Sequence, residues 1–169
     1  MLKSYNLNTI LVLKILLHNL TIIIMSIQKK LDRFLKVQEL TFENAMHEIV
    51  TGRIKSEWMW YIFPQMKGLG FSETSKYYGI ENFQEAQAYI EHDVLGPRLV
   101  EACEKILEYR GKSIRHIFPY PDDSKLKSSM TLFCVLPETH PIFQEVIDTF
   151  FDGKVDYNTI TLLNETYQN

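Results

Sequence analysis

An all-α fold is the expectation from three features of this sequence. Apolar residues recur at spacings of three and four through most of the chain, as they do on the buried stripe of a helix. Glycine and proline punctuate these stretches at Gly52, Gly79, Gly96-Pro97, Gly111, Pro137, Pro141 and Gly153, residues that end helices or open their first turns. No segment alternates with a period of two, and no Asn-Gly-type hairpin turn occurs. The pattern predicts one compact domain of seven or eight short helices. That number does not suit a simple four-helix bundle, so irregular, orthogonal packing around one core is expected.

Leu31, Phe34, Leu35 and Gln38 mark a first helix, and Phe42, Ala45, Met46 and Ile49 a second that begins near Thr41 and stops at Gly52. The aromatic stretch 56–63 reads as a short helix. Ser72 caps another that runs through Tyr78. Asn82, with Glu85 three residues on, forms a capping-box variant over a helix burying Phe83, Ala86 and Ile90. The helix opened by Gly96-Pro97 buries Leu99, Ala102, Cys103, Ile106 and Leu107 and runs to about Arg110. Ser113 caps a turn through Ile117. Asp122 or Asp123 caps the next helix, whose later part, Met130–Leu136, is apolar enough to suit a buried strand as well. Pro141 opens a helix that turns Ile142, Val146, Ile147 and Phe150 inward, and Asp156 caps the last, through Leu163.

The first 25 residues differ from the rest. They hold no acid and only Lys3 and Lys14 as cations, whereas residues 26–169 carry 16 basic against 21 acidic side chains. Ile10–Met25 is strongly apolar but interrupted by Lys14, His18 and Asn19. It falls short of the roughly 20 apolar residues of a spanning helix, and no small-residue cleavage site follows it. Residues 1–25 are therefore read as a leader outside the fold, with Met25 the expected true start and 26–169 the domain. A membrane partner is expected only if 10–25 is a genuine anchor.

The acidic balance argues against a general nucleic-acid binder. Cys103 and Cys134 lie in apolar-periodic stretches as buried free thiols, which fits a reducing, cytoplasmic setting. The histidines 18, 47, 92, 116 and 140 lack ligand spacing, and Thr51 stands where a zinc-protease helix opened by His47-Glu48 would need its second histidine. No metal and no cofactor are expected. There is no phosphate-binding Gly-rich loop and no nucleophile elbow.

Two segments stand out. Trp58, Trp60, Tyr61 and Phe63 crowd into one short stretch that contains both tryptophans of the chain and ends at Pro64-Gln65. The plain reading is core packing. The functional one is a pocket with flat amphipathic walls, where stacking of a planar ligand on an indole contributes on the order of 1–3 kcal/mol. The second segment, Pro119–Met130, places Asp122 and Asp123 at a helix start ahead of Lys125, Ser128 and Ser129. Carboxylates suit a helix N-terminus, but one suffices, leaving the other free for a site. Lys105–Lys127 holds six cations against three acids, either a solvated face or an anion patch.

Taken in order, these blocks resemble one bacterial family, the domain of unknown function eighteen-ten, whose members are sometimes mislabelled calpastatin. The resemblance covers about residues 28–163. It rests on Leu31–Phe34, Gln38, Gly52 to Lys55, Trp58–Gln65, Gly68–Gly70, Tyr78–Ile80, Glu85-Ala86, His92 to Leu99, Pro121–Asp123, Lys125-Leu126 and Ser128–Phe133. It implies a compact all-α domain and brings no assigned substrate or catalytic residue. The family commonly has histidine before Trp-Met-Trp, where this chain has Glu57.

Candidate ligand-binding residues are accordingly Trp58, Trp60, Gln65, Tyr78, His92, Lys125 and Ser129. Asp122, Asp123 and Glu57 are the candidate catalytic carboxylates. The expected partner is a small molecule, nucleotide or ADP-ribose-like, bound or processed between Trp58–Gln65 and Pro121–Ser129. The alternative is a protein-interaction module that exposes part of the aromatic block as a hot spot.

Overall fold

The two helices expected at the start of the domain are one. In the computed structural model, which describes residues 7–167, α1 runs unbroken over Leu7–Thr51. No glycine or proline interrupts this range, and Leu31, Phe34, Gln38, Phe42, Ala45 and Ile49 form a single buried stripe. Thr41, read as a cap, instead donates its hydroxyl back to the Val37 carbonyl at 2.7 Å, a bond made within a continuing helix. The helix ends at Gly52 (φ +63°), with Arg53 N–H donating to the Glu48 carbonyl at 3.0 Å. Side chains from Thr9 to Ser26 are all exposed, so the apolar stretch Ile10–Met25 forms exposed turns of α1.

Seven further α-helices follow: α2 (Met59–Ile62), α3 (Glu73–Tyr78), α4 (Phe83–Glu91), α5 (Leu95–Leu107), α6 (Asp122–Cys134), α7 (Ile142–Phe151) and α8 (Tyr157–Tyr167), with a 3₁₀ turn at Ile114–His116. Among the described residues there is no strand, only an isolated parallel bridge between Met66 and Ile80. The fold is a single all-α domain. α1 packs on α2, α4 and α5, and α6 on α7 and α8, an irregular set of pairings. A line of rings crosses the core from α1 to α7. Phe34 meets Tyr89 edge-on at 5.1 Å, Tyr89 meets Phe133 at 5.4 Å, and Phe133 meets Phe143 at 5.7 Å.

Several caps are those the sequence predicts. Asn82 Oδ1 accepts the Glu85 N–H at 3.0 Å, while Glu85 reaches back to the N–H of Glu81 at 2.7 Å, one residue beyond the usual box. Asp156 accepts from the Asn158 N–H and the Thr159 hydroxyl at the start of α8. The ambiguous run Met130–Leu136 is helical through Cys134. At the start of α6 the expectation needs correcting. Pro121 occupies the cap, and Asp122 and Asp123 lie in the first turn, where acids oppose the helix dipole without capping it. Both cysteines are free, and burial pushes the Cys134 thiol up to about 11.

Candidate ligand site

The loop leaving α1 must turn sharply to deliver Trp58 to the interior, and one carboxylate organises that turn. Glu48, on the last turns of α1 and only 6% exposed, accepts five hydrogen bonds. They come from the Lys55 N–H (2.8 Å), the Ser56 N–H (3.1 Å), the Ser56 hydroxyl (2.7 Å), the Trp58 indole N–H (2.8 Å) and the Asn44 amide (3.0 Å). Burial alone would raise the Glu48 pKa, but bonds from Lys55, Ser56 and Trp58 outweigh it and hold the group down to about 2. Trp58 is thereby fixed in the core beside Phe63 and Phe118.

With Trp58 pinned inward, Trp60 on α2 points the other way and is half-buried. It forms one wall of an open cleft of about 420 Å³, lined also by Ile54–Glu57, Met59, Ser72, Thr74, Asp122 and Lys125. The Lys125 ammonium sits 4.2 Å from the centre of the Trp60 ring system and donates to Asp122 at 2.8 Å. Asp122 and Lys125 are one helical turn apart, which places both at the cleft. Gly70 makes the close approach on the other side possible. A Cβ there would stand 2.6 Å from Ser75 Cβ and 3.3 Å from Trp60 Cη2. Glu57 is exposed on the rim, and its carboxylate makes no ion pair or hydrogen bond among the described residues.

Four candidates therefore meet at one place: Trp60, Lys125, Asp122 and Glu57. The others have different surroundings. Asp123 is buried and accepts from Arg115 Nε at 2.7 Å and from the Ser124 N–H. Gln65 is buried off the cleft lining, its carbonyl accepting the Ile80 N–H at 2.9 Å. Tyr78 packs among Phe34, Tyr61 and Tyr77. His92 Nδ1 accepts the N–H groups of Val94 and Leu95 at the start of α5. Ser129 is fully buried one turn beyond Lys125, with no partner for its hydroxyl among the described protein groups.

Sequence reasoning missed Lys55, Ser56, Ser72 and Thr74 in the cleft and Glu48 beneath it. For Glu48 a signal existed: an acid three residues from Ala45 and beside Ile49 falls on the buried face and must find donors. In the cation-rich stretch four of the six cations are paired. Lys105, Arg110, Arg115 and Lys125 pair with Glu108, Glu145, Asp123 and Asp122.

A family model described as a protein of unknown function, DUF1810, matches residues 28–163. The chain belongs to this family. The crystal structure of the conserved hypothetical protein Rv1873 from Mycobacterium tuberculosis is similar to this DUF1810 domain, with a TM-score of 0.76 and 41% identity. The similarity covers 79% of this chain and 96% of that one. No curated protein matches. The family match begins at residue 28, after the exposed apolar turns of α1.

Proposed function

We propose that the Trp60–Lys125 cleft binds a small planar, anionic metabolite of the nucleotide or ADP-ribose class. The observation that carries this reading is the Lys125 ammonium held by Asp122 over the half-buried face of Trp60, at the edge of an open cleft. A partly exposed Lys–Asp pair one helical turn apart contributes about 1 kcal/mol to stability, so the arrangement gains little for the fold. It does offer an aromatic surface for a ring and a positioned cation for a phosphate. Exposed Lys55 adds a second cation, and Ser56, Ser72 and Thr74 bring hydroxyls to the lining. The volume falls within the range of about 300–1,000 Å³ typical of small-molecule sites.

If the bound molecule reacts, the role of base or water-orienting group falls to Glu57. It is exposed on the rim and unbonded among the described residues, whereas Asp122 is committed to Lys125. The interaction-module reading has less support, because Trp58, Met59 and Phe63 are interior.

A thermal-shift screen of the full chain against nucleotides, ADP-ribose and related metabolites tests the proposal. A ligand present at a hundred times its Kd adds about 2.7 kcal/mol of stability, which is roughly 5–10 °C for a domain of this size. Trp60→Ala and Lys125→Met should each remove that shift. A hit that persists in both variants would place the ligand elsewhere, and the absence of any hit would count against the class.

A further inference from the structure

Leu7–Met25 of α1 is helical, and from Thr9 onward its side chains are exposed and mostly apolar. Ile10, Leu11, Val12 and Leu13 occupy successive positions about 100° apart and are each at least 40% exposed. Ile22, Ile23 and Ile24 repeat the pattern. Lys14, His18 and Thr21 share one narrow stripe, and a helix apolar over most of the remaining circumference has more apolar surface than contact along one face can cover. At about 1.5 Å per residue this stretch is about 28 Å long, close to the roughly 30 Å hydrocarbon thickness of a bilayer. Lys14 lies within about 11 Å of its outer end, and helical side chains lean toward the N-terminus, which carries its ammonium toward the interface.

A second observation lies at the foot of this helix. Of the 16 cations that follow Met25, six (Lys29, Lys30, Arg33, Lys36, Lys67 and Lys76) line one recess of about 420 Å³ with Asp32 and Glu81; Lys30 and Lys67 pair with Glu81, Arg33 with Glu85 and Lys76 with Glu73. Four of them fall within 11 residues of Met25, while Lys3 is the one cation before the apolar stretch. Lys29 and Lys36 make no ion pair or hydrogen bond among the described residues. These two uncommitted lysines adjoin the one helix long and apolar enough to cross a membrane among the described residues.

We propose that Leu7–Met25 is a membrane anchor and that the cation-lined recess rests on anionic lipid headgroups where the helix leaves the bilayer. The cluster of lysine and arginine just after the span orients the domain to the cytoplasmic face. The proposal is independent of the ligand assigned to the Trp60 cleft.

The test fractionates bacteria expressing the full chain. The protein should stay with the membranes after high-salt and alkaline washes, and the Leu16→Lys/Ile23→Lys variant should move to the soluble fraction. Both positions are exposed, so the domain itself is undisturbed. Purified protein should float more strongly with vesicles of phosphatidylcholine and phosphatidylglycerol than with phosphatidylcholine alone, and Lys29→Glu/Lys36→Glu should abolish the difference. A soluble full chain, or recovery from its native cells only of protein beginning at Met25, would overturn the anchor. A vesicle preference that survives Lys29→Glu/Lys36→Glu would overturn the headgroup contact.

Discussion

Glu48 holds the indole N–H of Trp58 at 2.8 Å across the end of α1, and the same carboxylate takes the N–H groups of Lys55 and Ser56. One residue thus ties the end of the longest helix to the floor of the cleft and to the orientation of the aromatic block. Glu48→Ala leaves the indole donor and two backbone donors in part-buried surroundings, each costing about 1–3 kcal/mol if unmet. Relaxation and water will recover part of this, so a net loss of about 3–5 kcal/mol is expected in urea unfolding. Trp58→Phe, which keeps the ring in the core and leaves Glu48 its other donors, should cost clearly less.

The depressed Glu48 pKa makes a pH prediction. The group's pKa falls from 4.5 to about 2 on folding, so its contribution is fully present above pH 4.5 and is lost as pH falls from 4.5 toward 2. That shift corresponds to about 3 kcal/mol. Glu48→Gln should flatten this part of the stability–pH curve, measured by thermal unfolding at each pH. Equal acid sensitivity in the variant would show that other carboxylates set it.

Lys125→Met should separate binding from folding. Its ion pair with Asp122 is partly exposed and its indole contact contributes on the order of 1 kcal/mol, so unfolding should shift by about 1 kcal/mol or less. The ligand-induced thermal shift should disappear. Loss of both together would assign Lys125 to structure.

Gly70→Ala should act through the cleft's far wall. The added Cβ would meet Ser75 Cβ at 2.6 Å, and accommodating it displaces the start of α3, where Ser72 and Thr74 line the cleft. Overpacking of this kind costs about 1–3 kcal/mol. A weakened ligand shift should accompany the loss.

The helices were legible wherever a local rule governs them. Asn82 caps with its own side chain, Pro141 sits at the entry to α7, and the Leu99–Leu107 stripe is one face of α5. The break placed near Thr41 was not real, because a threonine that can cap can equally bond back four residues within a helix, and only tertiary context decides. Trp60, Lys125, Asp122 and Glu57 could be nominated because they occupy distinctive segments. Lys55, Ser72 and Thr74 could not, since their place in the cleft depends on how α3 and the 54–57 loop fold back on α6. Helical spacing puts Glu48 on the buried face, but its donors seven to ten residues away lie beyond the reach of that periodicity.

The most direct measurement is a calorimetric titration of the leading screen ligand into the native protein and into folded Trp60→Ala. The native protein should show saturable one-to-one binding and the variant none. Undiminished affinity in Trp60→Ala, with the fold confirmed by circular dichroism, would contradict it.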